Sequence, residues 1–492
     1  MNNQDAQSAG QLPSYITSAT PNPPDKRAPW YANTAPTYAG VFLWFVFWSK
    51  AVNAPNAGGI LSQGVGWALL GVVLAALVCH FLFYLVPGLL GQKTGLPLYI
   101  VGTSTFGARG GFLMPGFLMG VLQFGWLGVS SFASGKLLAP VIHLPPEVIM
   151  VVWAVLAAFV GLKGIQYVAK VATFLPLITL VILFILLAKT AGTVGSFDPQ
   201  KFVDLHKSVS PQIPSALSGI GVLVFVMTYV VGFFATAGAA GADFGTNSRN
   251  KNDVQMGGLV GIALAIIVTV GISLLVVAGT YGSPDLSKAA VAAATETAAK
   301  ANPPSTANLI LDPTDLIPTL MGAKIAGVFM FLLALAAFPG SCFSSFIAAN
   351  SFKATLPKVN PFISCGIGTL GTIALAVTGE AGKVVTVFVI IGASFGPICG
   401  AMMVDYLLAG GNWPGPRGGF NPAGWLAWLA GFVVGIMPAL HDIKPDWNIY
   451  PVPAAPVAAF LVGAVVYFVC AKLGLQSQVI PLPAKPAAPA PQ

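Results

Sequence analysis

Apolar stretches of about 20 residues follow one another along most of the chain, parted by short polar connections. That length, coiled as an α-helix, crosses a hydrocarbon core of about 30 Å. Hydropathy predicts about twelve spans, at 37–62, 67–90, 111–140, 147–162, 171–190, 214–241, 256–280, 319–350, 362–378, 384–409, 421–440 and 451–471. A transmembrane barrel would alternate apolar and polar residues, whereas runs such as Leu180 to Ala188 are continuously apolar. Only helices satisfy their own backbone under those conditions. The pattern describes an all-α polytopic membrane protein.

Composition agrees, since the 492 residues are 56% hydrophobic and only 8% charged, against about 25% charged in soluble domains. The net charge of +8 is scattered between spans and forms no aromatic-studded basic patch, so the expected partner is the lipid bilayer and not nucleic acid. Five cysteines lie singly in apolar segments and read as small core residues. The first 30 residues are polar and lack an apolar signal-peptide core. Lys93, Arg109, Arg249, Lys353 and Arg417 fall in connections on one side, a bias that puts both termini in the cytoplasm and the protein in the cytoplasmic membrane. Two long connections, Gly195 to Pro214 and Ser283 to Pro318, then lie outside, as peripheral helices or as lids. The prolines after Val479 suggest a disordered, polyproline-like tail.

Two irregularities interrupt the pattern. Ser49 to Gly59 places proline, asparagines and glycines in span one, and Gly232 to Gly238 with Gly241 does the same in span six. Interrupted helices at matching positions point to a transporter with a site near the midplane. The arrangement expected is a five-plus-five inverted repeat with broken helices one and six, followed by two accessory helices. Its parts are a tail (1–36), a first repeat (37–190), an external loop (191–213), a second repeat (214–409) containing the long loop 283–318, the accessory helices (410–471) and a Pro-rich tail (472–492). Lys50 lies in the first break, where an ammonium within a membrane is a functional hypothesis by default. Snorkelling to an aqueous vestibule is the alternative.

Several motifs carry a resemblance. Gly91-Gln92-Lys93-Thr94-Gly95-Leu96, Phe106-Gly107-Ala108-Arg109-Gly110 and Gln123-Phe124-Gly125-Trp126 are followed by Val231 to Gly238, Ala242-Asp243-Phe244, Ser394-Phe395-Gly396-Pro397 and Val404 to Leu408. In order and spacing, over roughly residues 30–470, they resemble the nucleobase-cation-symport family one, which includes the cytosine and purine permeases and the hydantoin transporters. The cytosine-permease branch is nearest in motifs. The resemblance implies a secondary active transporter that imports a nucleobase by alternating access. The same aromatic clamp would serve a hydantoin, allantoin or a heterocyclic vitamin.

A flat heteroaromatic base needs aromatic faces above and below and amides or hydroxyls at its rim. Trp126, near the middle of span three, takes one face by resemblance, and Phe234 the other. Gln123, one turn before Trp126, offers both donor and acceptor. Ser130, Thr236 and Ser345 are further rim candidates, although such hydroxyls also bond to their own preceding turn. Asp243, with Arg249 and Lys251, is a gating candidate.

Sodium-coupled members of the family build a cation site from carbonyls of the first break and two adjacent hydroxyl residues in helix eight. An ungapped match puts Pro339 and Gly340 at those two positions. The expectation is therefore coupling to a proton, or uncoupled transport, with Lys50 in place of the cation. Ser341, Ser344 and Ser345 rebuild a sodium site only if the register shifts. No other cofactor, metal or catalytic cluster is expected, because His80, His143, His206 and His441 are isolated. A channel or membrane receptor is the remaining class, separated from a carrier by saturable uptake.

Overall fold

A computed structural model describes residues 12–163, 175–300, 306–356, 358–447 and 449–482. Within these residues no β-strand forms. Ten helices there are long and apolar enough to cross a membrane. The shorter Pro361–Val377 and the divided first span complete the expected twelve. The start of span five (171–174) and the prolines from Pro483 onward lie outside the described residues.

Local chemistry sets the ends. Ser218 accepts the Gly221 N–H and opens span six, Gly219–Ala239. Asn360 accepts the Phe362 N–H, with Pro361 in the first turn, at the start of span nine. Gly95, at φ 68°, closes span two in a left-handed cap.

Both interruptions fall away from their expected places. Span one divides at Leu43-Trp44, between the helices Thr34–Phe42 and Phe45–Lys50, with Trp44 in an extended conformation at ψ 120°. The polar run from Ser49 to Gly59 is where that second helix ends, so it terminates the span instead of breaking its middle. Span six continues through Gly232 and Gly238 and is interrupted only at Ala240, before the short helix Gly241–Gly245. Its glycines serve packing: a Cβ on Gly232 would fall 2.7 Å from the Phe388 carbonyl oxygen.

Spans ten (Val384–Leu408), eleven (Pro422–Ile443) and twelve (Ala455–Lys472) form one packed group. Gly392, Gly396 and Gly400, one turn apart on span ten, sit against Pro456 to Phe460 of span twelve. Small residues at that spacing let membrane helices approach closely.

Several family motifs meet at one face of the bundle. The Ala108 N–H donates to the Arg417 carbonyl (2.6 Å), and the Arg109 N–H to that of Gly419 (2.8 Å). The Arg417 guanidinium lies against the Asp405 carboxylate (2.8 Å), which also accepts the Tyr467 hydroxyl (2.8 Å) and that of Thr105 (3.3 Å). Both ends of the chain join this face. Tyr15 donates its hydroxyl to Ala108, Arg27 donates to the Gln92 carbonyl (2.7 Å), and the Ile480 N–H donates to Pro416 (2.8 Å). Leu12 and Ile480, near the two ends of the described residues, are both buried there.

The opposite face carries the helices Pro199–Val209 and Pro284–Lys300. The first is more than peripheral. His206 accepts the Gly58 N–H at Nδ1 (2.9 Å) and bonds Asn308 through Nε2 (2.6 Å), tying the end of span one to the connection between spans seven and eight.

Candidate substrate site

Gln123, Trp126 and Ser130 share one buried stripe of span three, at helical spacings of three and four. The Trp126 indole donates its N–H to the Thr236 hydroxyl of span six at 3.1 Å. That bond fixes the plane of the ring. Around it stand Phe233 (centroids 4.8 Å apart, edge-on), Phe388 of span ten (5.3 Å, 39° between planes) and Trp44 of the first break (5.7 Å, 64°). Four spans therefore contribute one aromatic each at a single level of the bundle.

The Phe234 ring does not meet that of Trp126. It is fully buried and stacks on Phe42 at 5.9 Å, with Tyr38 at 6.0 Å, inside the first half of span one. Consecutive helical residues diverge by about 100°, so when Phe233 faces Trp126 its neighbour cannot. Phe233 also lies three residues before Thr236, hence on the same face.

Gln123 is buried, and among the described residues its amide donates only to the thioether of Met119, at 3.5 Å. Sulfur of that kind is a weak acceptor, so a stronger partner would displace it readily. Ser130 and Ser341 share a short hydroxyl contact, and the Trp153 indole donates to Ser341 Oγ at 3.1 Å. Ser345 donates back to the Ser341 carbonyl at 3.3 Å. These hydroxyls thus join spans three, four (Pro146–Lys163) and eight (Ala323–Thr355). Span eight stays helical through Pro339, and Gly340 is exposed with open space beside it. The buried hydroxyls nearest that match are those of Ser341, one position beyond it, and Ser345, one turn further on.

Lys50 is not bare. Its ammonium pairs with Asp312, from the connection between spans seven and eight, and keeps 39% of its side chain exposed. The other Asp312 oxygen accepts the Thr314 N–H (2.9 Å) and hydroxyl (2.6 Å). Asp315 follows in the same turn. Solvent reaches it, yet the protein walls around it, and secondarily the Asp312 charge, push its carboxyl up to about 7. Lys50 and Lys136 oppose that shift.

Asp243 accepts the Leu98 N–H at 3.0 Å, tying Gly241–Gly245 to the connection after span two. Arg249 turns instead to Asp253, at 3.1 Å. Among the described residues no group of three or more His, Cys, Asp or Glu side chains is placed to hold a metal ion.

The profile of a transporter family described as permease for cytosine/purines, uracil, thiamine, allantoin matches residues 23–469. The chain belongs to this family. Its fold is similar to that of Mhp1, a nucleobase-cation-symport-1 family transporter, in a closed conformation with bromovinylhydantoin bound. The TM-score is 0.59 at 14% identity, over 95% of this chain and 98% of that one. The inward-facing conformation of Mhp1 gives 0.58 at 14% identity, over 94% and 96%. A substrate-bound, outward-open Na+-coupled sialic acid symporter gives 0.51 at 12% identity, over 96% of each chain. No protein with a curated description matches the sequence. This permease is a multi-pass membrane transporter of the nucleobase type, and not an enzyme.

Residues that the sequence left unmarked complete the site. Phe233 was legible from its spacing to Thr236. Phe388, Trp153 and Asp312 come from distant segments, and no local pattern links them to span three. Trp44 was hidden by the apolar run around it.

Proposed function

We propose that the permease imports a nucleobase bound against Trp126 and Phe233, with Gln123 and Thr236 at its rim. The observation that carries this reading is the Trp126 ring, fixed at mid-bundle by Thr236 and surrounded by aromatics from three other spans. Base stacking on such a ring tolerates any π face, so the rim must select. Ser130, Ser341 and Ser345 support the site from behind by joining spans three, four and eight. The two repeats, 37–190 and 214–409, rock about this level, with spans eleven and twelve as accessories.

Coupling to a proton is the reading favoured by the Lys50, Asp312 and Asp315 group, which carries one positive and two negative charges when fully ionised. Asp243 acts on the other face as a tie that alternating access must release. Docking of both chain ends on one face, together with the distribution of basic residues, supports placing that face in the cytoplasm and the protein in the cytoplasmic membrane.

A thermal-shift series over nucleobases, hydantoins, allantoin and thiamine, with and without sodium, tests the proposal. Ligand that binds the folded state stabilises it by mass action. A nucleobase should raise the melting temperature most, and sodium should add little. Stabilisation by a hydantoin or thiamine alone would reassign the substrate.

A further inference from the structure

Five indole N–H groups of this protein find an acceptor within the fold. Those of Trp126, Trp153, Trp413, Trp425 and Trp428 each donate to a hydroxyl or carbonyl at 2.9 to 3.2 Å. Two buried indole nitrogens, of Trp44 and Trp48, have no partner among the described residues. An indole nitrogen only donates, so nothing but an acceptor satisfies it. A buried donor left unpaired costs free energy, and in a native fold such a group calls for an explanation.

The two differ in setting. Trp48 is fully buried within the helix Phe45–Lys50, where its carbonyl accepts the Ser273 hydroxyl at 2.6 Å. Trp44 stands at the interruption of span one, is only partly buried, and presents its ring to Trp126 at 5.7 Å and to Phe233 at 6.1 Å. Of the two unpaired indoles, only that of Trp44 has its ring against the Trp126 and Phe233 rings. The Trp126 N–H is already spent on Thr236.

We infer that Trp44 is a specificity-determining residue whose indole N–H donates to a ring carbonyl of the substrate, so that the site prefers oxo heterocycles to analogues lacking that oxygen. This rests on Trp126 and Phe233 being the stacking surfaces. It adds a requirement that stacking alone does not impose.

The test measures Kd for matched pairs on the purified full chain: cytosine with 4-aminopyrimidine, and hypoxanthine with purine. Wild type should bind the oxo member of its preferred pair at least about tenfold more tightly, as expected when a buried donor is left unpaired by the other. Trp44→Phe keeps a ring and removes the donor. It should weaken oxo binding by about tenfold and change binding of the des-oxo analogue by less than about threefold. Trp48→Phe, the same change one turn along, should leave the preference intact. A folded Trp44→Phe protein that keeps the full oxo preference overturns the inference while leaving the substrate class standing. Equal binding of both members of a pair by wild type overturns it in the same way, without any variant. Wild type that binds no member of either pair overturns the inference and the nucleobase reading together.

Discussion

Removing the Trp126 ring should weaken ligand binding by about tenfold to a hundredfold, because an aromatic side chain stacked on a base is worth roughly 1–3 kcal/mol. Phe233→Ala should lose affinity in the same range. Phe234→Ala, which empties a core site against Phe42 and Tyr38, should lower stability by about 3 kcal/mol and leave affinity in the surviving folded protein close to wild type. Titration of the three variants, with melting curves alongside, separates the two phenylalanines. Gln123→Leu should shift selectivity among heterocycles more than it shifts melting temperature, since the amide has only a thioether to lose. At this scale the sequence was readable where helical spacing connects residues within one span, as for Gln123, Trp126 and Ser130. The choice between Phe233 and Phe234 turned on which way span six faces, and only the spacing to Thr236 carried it. Counting back three residues from Thr236 would have settled that phase.

Among the elements, span one shows the limit of composition as a guide to breaks. Prolines and glycines marked the end of its second helix, while the interruption at Leu43-Trp44 sits in an apolar run with no breaker residue. Tertiary packing of Trp44 against Trp126 and Phe233 accompanies that break. The same span carries Lys50, whose partner Asp312 is supplied by a connection more than 200 residues away. Protonation should govern this group. With its carboxyl raised from the usual 3.8 to about 7, Asp315 binds a proton more readily in the folded protein than in the unfolded chain. Its contribution to stability is therefore complete at pH 3.8 and below, and is lost progressively as pH rises to about 7. Melting temperature should fall with pH across the upper part of that window, and Asp315→Asn should flatten the slope; Asp312, Lys50 and Lys136 are the charges that set it. Proteoliposome uptake under separate sodium and pH gradients extends the test to coupling. Steep sodium dependence that survives Lys50→Ala would contradict proton coupling and return the cation site to Ser341 and its neighbours.

The whole molecule was legible in its class and in its succession of spans because hydrophobic length is a direct physical requirement of the bilayer. The architecture of the face where both chain ends dock was not. Phe106 to Gly110 lie some 300 residues before Asp405 and Arg417, and only the fold shows that they form one buried network. Those motifs hold the scaffold together. Asp405→Ala should therefore be among the most destabilising single changes, by roughly 3–5 kcal/mol, because it leaves the Arg417 guanidinium buried without its counter-charge. Ligand selectivity of whatever protein still folds should be unchanged, as read by the same thermal-shift series.

The most direct test of a nucleobase carrier centred on Trp126 is uptake of labelled cytosine and hypoxanthine into proteoliposomes, with wild type beside Trp126→Ala. Saturable uptake of at least one base, with counterflow from preloaded vesicles and a large loss in the variant, is the result expected. Saturable uptake with equal rates in wild type and a folded Trp126→Ala protein would contradict the site, and no saturable uptake of either base would contradict the substrate class.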